Sequence, residues 1–184
     1  MNDRASEVLL HVCCAPCASS CVERLRTQGR KVRLFFSNSN LSDEAEYGRR
    51  LESVRRLAAL TRTELIEDPY DHGAWHAALS ASLPQYGQYP EGGERCRFCF
   101  SFSLERAAGY ARLNAMNFTT SLTVSPHKNS KLIFQVGSRW SFFEAIDFKK
   151  DDGFRRSIEL SGIHGFYRQD FCGCEFSRKN RKVS

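Results

Sequence analysis

The chain has 184 residues, 41% of them hydrophobic and 26% charged, which is the length of one domain with apolar material for one core and excludes disorder as the main state. Twenty-seven basic against 21 acidic residues leave a formal charge of +6, which is modest for a nucleic-acid binder but points to a polyanionic partner. No run approaches the roughly 18 consecutive apolar residues of a membrane span, and Asp3, Arg4 and Glu7 precede too short an apolar run for a signal peptide, so a cytoplasmic protein is expected.

Glu7 to Val12 reads as a short buried strand. Pro16 stands where a first helical turn begins, and the helix it opens has Val22 and Leu25 on one face and stops at Gly29. Lys31 to Phe36 (KVRLFF) is a second strand. After Asn38, Asn40 and Ser42, a long amphipathic helix runs from about Asp43 to Thr61, its first turn acidic through Asp43, Glu44 and Glu46. Thr63 to Glu67 is a third strand. This alternation, with connections long enough to cross over, predicts an α/β fold with a parallel sheet covered by helices.

Asp71 to Ser82 is expected to be a helix carrying Trp75, and Pro84 to Gly93 (PQYGQYPEGG) a loop. Cys96 to Leu113 has helical composition, Asn117 to Leu122 (NFTTSL) reads as a strand, Asn129 caps a helix to about Trp140, and Asp151 to Leu160 is a further helix. An irregular glycine-containing turn closes the chain. There is no internal repeat or domain linker, so one catalytic domain over residues 1–176 is expected, followed by a basic tail, 177–184. Arg178, Lys179, Arg181 and Lys182 lie in that tail with no acid among them.

The eight cysteines are grouped rather than scattered: Cys13-Cys14-x-x-Cys17-x-x-x-Cys21, Cys96-x-x-Cys99 and Cys172-x-Cys174. Reducing pools disfavour stable disulfides in the cytosol, so clustered thiols there read first as metal ligands or catalytic groups. The first group follows the first strand, at the sheet edge where open α/β folds bind ligands. The second begins a helix, whose N-terminus favours thiolate over thiol. Cys21, one turn beyond Cys17, reads as a core residue, which leaves seven thiols. That exceeds the four ligands of one structural zinc site and suits an iron–sulfur cluster with a second metal beside it. Adjacent Cys13 and Cys14 are expected to point in different directions and serve two metals, unless one packs. His11 reads either as a support for the site or as a satisfied strand histidine. HVCCAPC lacks the glycines that let a backbone cradle phosphate, which disfavours nucleotide hydrolysis.

The segments LLHVCCAPC, NSNLSDEAEYGRRLE, ERCRFCF, FTTSLTVSPHKN and GFYRQDFCGCEFS together resemble the QueH family of epoxyqueuosine reductases over nearly the whole chain. Family members more often have a Pro-Asn-Ile-type segment where this chain has Ser39-Asn40-Leu41, and tyrosine where it has Phe100 and His127. The resemblance implies an adenine-nucleotide-hydrolase-like (HUP-like) sandwich. It also implies reduction of epoxyqueuosine to queuosine in the tRNA anticodon without cobalamin, and a [4Fe-4S] cluster with a neighbouring mononuclear iron. Spacing does not apportion the thiols. The working assignment gives Cys13, Cys96, Cys99 and Cys174 to the cluster and Cys14, Cys17 and Cys172 to the second metal.

Removing an epoxide oxygen requires electrons, polarisation of that oxygen and protons. The candidate proton donors are Tyr167, Asp170, Asp147 and His127, each of which also has an ordinary structural reading as a cap, an ion-pair partner, a packing ring or a loop residue. Lys128, Arg168, Arg178 and Lys179 are assigned to tRNA phosphates, and Phe166, Phe171 and Phe176 between them remain unassigned. The implied partners are tRNA bearing epoxyqueuosine and an electron donor that the sequence does not identify. Two alternatives are a zinc-stabilised RNA-binding module and a cluster-dependent tRNA sulfur-transfer enzyme.

Overall fold

Strand β1 (Glu7–Val12) is apolar almost throughout because both of its faces are covered. Val8, Leu10 and Val12 enter one core with residues of α1 (Ala15–Thr27) and α2 (Glu44–Thr61). Leu9 enters a second core with Phe118 and the apolar face of α4 (Glu94–Leu113). In the computed structural model, which describes residues 7–179, β1 pairs in parallel with β2 (Lys31–Phe36) and with β4 (Asn117–Thr120), Leu10 standing opposite Leu34 and Thr119. β3 (Glu64–Glu67) adds to the far side of β2, giving the order β3-β2-β1-β4. The expected parallel α/β sandwich is therefore present, in the manner of a Rossmann-like or HUP-like layer arrangement.

Strand order places the functional region. The chain moves outward from β1 to β2 to β3, then crosses back to lay β4 on the other side of β1. Connections leaving the carboxyl ends of β1 and β4 run apart, and the crevice between them is where such sheets bind ligands. His11 closes the floor of that region. Its Nδ1 accepts from the Thr120 hydroxyl at 2.9 Å and its Nε2 donates to the Ser37 carbonyl at 3.2 Å. Burial, outweighing the carbonyl and Asp68, pushes its pKa down to about 4. Its ring is satisfied, as one of its two readings expects, and it also lines a small pocket with Cys13, Cys99 and Cys172.

Several boundaries differ from expectation. β4 stops at Thr120 because its hydroxyl accepts from the Leu122 N–H and starts a 3₁₀ turn, Ser121–Val124. α5 (Ser130–Gly137), capped by Asn129 as expected, ends three residues before Trp140, whose N–H bonds the Gly137 carbonyl in a tight turn. α6 (Gly153–His164) begins late because Asp151 and Asp152 adopt left-handed φ angles of 56° and 58°. The 84–93 loop holds one 3₁₀ turn at Tyr86–Gln88. α3 (His72–Ser82) packs on α4, and α7 (Glu175–Lys179) spans the expected domain and tail boundary. Arg181 and Lys182, and the side chains of Arg178 and Lys179, lie outside the described residues. No helix among the described residues is long and apolar enough to cross a membrane.

Candidate metal centre

β1 ends at Val12, and a bend at Cys13 breaks the strand's two-residue alternation. Cys14 then takes an extended conformation as the N-cap of α1, with Pro16 in the first turn. The two sulfurs converge instead of diverging and lie 3.8 Å apart, which corrects the expectation for adjacent cysteines. Groups bound to them would be immediate neighbours. Cys17 follows on the first turn of α1, whose N-terminus has no acidic residue and no side-chain cap. Cys96 and Cys99 sit one turn apart at the start of α4, and the Gly92 N–H donates to the Cys96 sulfur at 3.2 Å.

The Cys172-Gly173-Cys174 turn lies outside regular structure and is tied down from a distance. Arg50 donates to the Phe171 and Cys172 carbonyls at 3.2 and 3.0 Å. Its Nε donates to Glu46 at 2.7 Å, and the other Glu46 oxygen accepts from Arg49 and from the Tyr167 hydroxyl, at 2.8 and 2.7 Å. Ser42 donates to the Gly173 carbonyl through both N–H and hydroxyl. Gly173 has φ +105°, and a Cβ there would run into Leu41 and the Arg50 guanidinium.

All seven thiols other than Cys21 line one cavity of about 790 Å³ at the carboxyl edge of the sheet. Cys21 is fully buried in the α1 core, as expected. The lining also includes Lys128, Gln169, Trp75 and Arg95.

Charge is distributed unevenly among the thiols. Hydrogen bonds from Cys13 and Cys17, against opposing burial, hold Cys14 well below the usual thiol range, and Cys17 correspondingly keeps its proton. The same bond to Cys14 pushes Cys13 up to about 12. In the last pair, the hydrogen bond from Cys174 brings Cys172 down to about 5, helped by Lys128 and Arg50, while Cys174 is pushed up. Cys96 and Cys99 were expected to gain from the helix N-terminus; both are pushed up instead, because burial is the larger effect. Burial acts to lower the Lys128 pKa, but Cys172, Cys13, Cys17 and Cys14 outweigh it and hold the ammonium above its ordinary value. Lys128 is thus a half-buried cation central to two of the thiol groups.

The other expected site residues separate by position. His127, Asp170 and Arg168, all exposed, line the cavity. Tyr167 and Asp147 do not. The Tyr167 hydroxyl is engaged by Glu46, and Asp147 accepts from the Lys149 N–H at 3.2 Å and faces the Ser130 hydroxyl at 3.4 Å. Phe176 stacks under the Arg95 guanidinium at 4.2 Å, Phe171 lies 5.5 Å from that of Arg50, and Phe166 is in the core, so these rings have structural roles. Sequence reasoning missed the Glu46–Arg50 clamp, although both residues stand in the EYGRR motif. It also assigned nothing to Trp75, Gln169 or Arg95.

Among the described residues no three His, Cys, Asp or Glu side chains stand within reach of a single ion. Seven thiols instead surround a space far larger than one ion, and a cation sits among them. That fits a polynuclear anionic group better than a closed tetrahedral zinc site.

A family model described as Epoxyqueuosine reductase QueH matches residues 8–180. The chain is 36% identical over 188 residues to the Epoxyqueuosine reductase QueH of Streptococcus pyogenes, covering 96% of this chain and 72% of that one. It is 33% identical over 191 residues to that of Acinetobacter baylyi, covering 98% and 84%. To that of Thermotoga maritima it is 33% identical over 186 residues, covering 95% and 92%.

Proposed function

The chain belongs to the QueH family of epoxyqueuosine reductases and is an oxidoreductase of queuosine biosynthesis; we propose that its seven cavity cysteines hold a [4Fe-4S] cluster with a mononuclear iron beside it, and that it acts on epoxyqueuosine in tRNA. The observation that carries this reading is the meeting of all seven thiols, from three distant segments, around one cavity. In the division we propose, Cys13, Cys96, Cys99 and Cys174 bind the cluster, and Cys14, Cys17 and Cys172 would draw together around the iron on binding, because no three such side chains among the described residues stand within reach of one ion without it. The 3.8 Å separation of Cys13 and Cys14 is consistent with neighbouring groups.

Conversion of an epoxide to an alkene takes up two electrons and two protons and releases the oxygen as water. The cluster and the open iron would supply electrons one at a time and a Lewis acid for the departing oxygen. The chain's own residues do the rest. Lys128 offsets the charge of thiolates held out of water, lowering the cost of keeping several together. Asp170 and His127, on the cavity lining, are placed to hold and deliver protons. Tyr167 and Asp147 act as supports, the first through Glu46 to the Cys172 turn and the second through Ser130 and Lys149 to the His127 segment. Arg168 at the rim meets an anticodon-loop phosphate, whereas Lys128 serves the sulfur cluster first. Action on tRNA with an external electron donor assigns the protein to the cytoplasm.

Incubating anaerobically purified protein and dithionite with epoxyqueuosine-containing tRNA, followed by nucleoside mass spectrometry, tests the proposal. Queuosine is expected from the wild type, with a loss of at least a hundredfold in Cys99→Ala and Cys172→Ala. Undiminished turnover by both variants would overturn it.

A further inference from the structure

Trp75 is one of the largest fully buried side chains, 1% exposed, yet its indole N–H has no hydrogen-bond partner among the described residues. Leaving such a donor unpaired forfeits its hydration with nothing in return, so a buried orphan N–H needs an explanation. The ring is held in place on two sides. It stacks on His72 at 5.4 Å and 20°, and meets the edge of Phe98, the residue before Cys99, at 6.5 Å. Trp75 and Cys99 line the same cavity. The other sulfur of the pair already has a donor, the Gly92 N–H, at 3.2 Å from Cys96.

We propose that Trp75 donates its indole N–H to the Cys99 sulfur when the cluster is bound, and that this hydrogen bond raises the cluster's reduction potential. The inference rests on the cluster reading given above. Hydrogen bonds to ligand sulfurs are among the features that set such potentials, because reduction adds negative charge that spreads onto the thiolates. A donor aimed at that charge stabilises the reduced form more than the oxidised one, and burial strengthens it. With Gly92 serving Cys96 and Trp75 serving Cys99, both ligands at the head of α4 receive one N–H each. Trp75 is a positioning residue, acting through the sulfur and not on substrate.

Redox titration of the cluster absorbance in wild type, Trp75→Phe and Trp140→Phe tests this. Phenylalanine keeps an aromatic ring and removes the donor. At a fixed potential the reduced-to-oxidised ratio of Trp75→Phe is expected to fall about tenfold, equivalent to 59 mV for one electron, with Trp140→Phe unchanged. Should Trp75→Phe lose its cluster, 5-fluorotryptophan incorporated into Trp140→Phe makes the remaining indole N–H more acidic at constant ring shape, and the potential is expected to rise. A loaded cluster whose potential ignores either change overturns the inference alone. A wild type that binds no cluster overturns the cluster reading and this inference with it.

Discussion

The first and last cysteine groups offer the same ligand chemistry but owe their placement to opposite causes. Cys13, Cys14 and Cys17 are set by the end of β1 and the first turn of α1, with Cys14 capping through the Ala18 N–H at 3.2 Å. The Cys172–Cys174 turn has local support only on its far side, where the Ser177 hydroxyl of α7 accepts from the Gly173 N–H at 3.1 Å and donates to the Cys174 carbonyl at 2.9 Å. It is held by Arg50, 121 and 122 residues away in sequence, and by Ser42, 131 away. One group inherits rigidity from local structure, while the other adds to its Ser177 contacts a buried ion pair and a glycine. Ligand position and fold stability are therefore coupled strongly at one end of the chain and weakly at the other.

Arg50→Ala breaks this contrast most severely. It leaves Glu46, 0% exposed, without its buried partner and frees two carbonyls, so urea unfolding should show a loss of about 3–5 kcal/mol, with hydrogen exchange rising at residues 171–174. A loss under about 1 kcal/mol would mean that the clamp does not hold the turn. Gly173→Ala should cost about 1–3 kcal/mol in the same experiment, from its φ of +105° and the encounter with Leu41 and Arg50.

Acid provides a graded version of the first substitution. Burial works to raise the Glu46 pKa, but the Tyr167 hydroxyl and the Arg49 and Arg50 guanidiniums prevail and hold it below the ordinary carboxylate value. A depressed folded pKa contributes stability that is complete above the unfolded value and is lost as pH falls through the folded one. The stability gap between wild type and Glu46→Gln should therefore narrow on acidification below about pH 4; a gap that widens would contradict the assignment. The smallest effect is expected at the other end of the comparison. Cys13→Ser, in protein stripped of metal, should change stability by less than about 1 kcal/mol because β1 and α1 fix its backbone, while bound iron falls as far as in Cys172→Ser.

The same contrast explains what the sequence made legible. β1, β2 and the first two helices were readable to within a residue or two, since their signals are local: an apolar run, Pro16 at a helix start, Asp43 as an N-cap. Grouped thiols announced themselves by type and spacing. The late start of α6 was hidden, because no rule for the residues requires two consecutive aspartates to turn left-handed. Glu46 and Arg50 looked like an ordinary helical i,i+4 pair, and their burial beneath a turn more than 120 residues onward has no signature in either segment. Trp75 was legible only as a residue of the third helix; its unpaired N–H exists only once α3 packs on α4. The convergence of Cys13 and Cys14 depended on one bend.

A redox cluster in the seven-thiol cavity has a direct chemical signature. Iron, acid-labile sulfide and zinc should be measured in protein purified without oxygen, with visible spectra before and after dithionite. The account predicts four or more irons and about four sulfides per chain, with absorbance bleached on reduction. Zinc without sulfide in protein never exposed to air would contradict it.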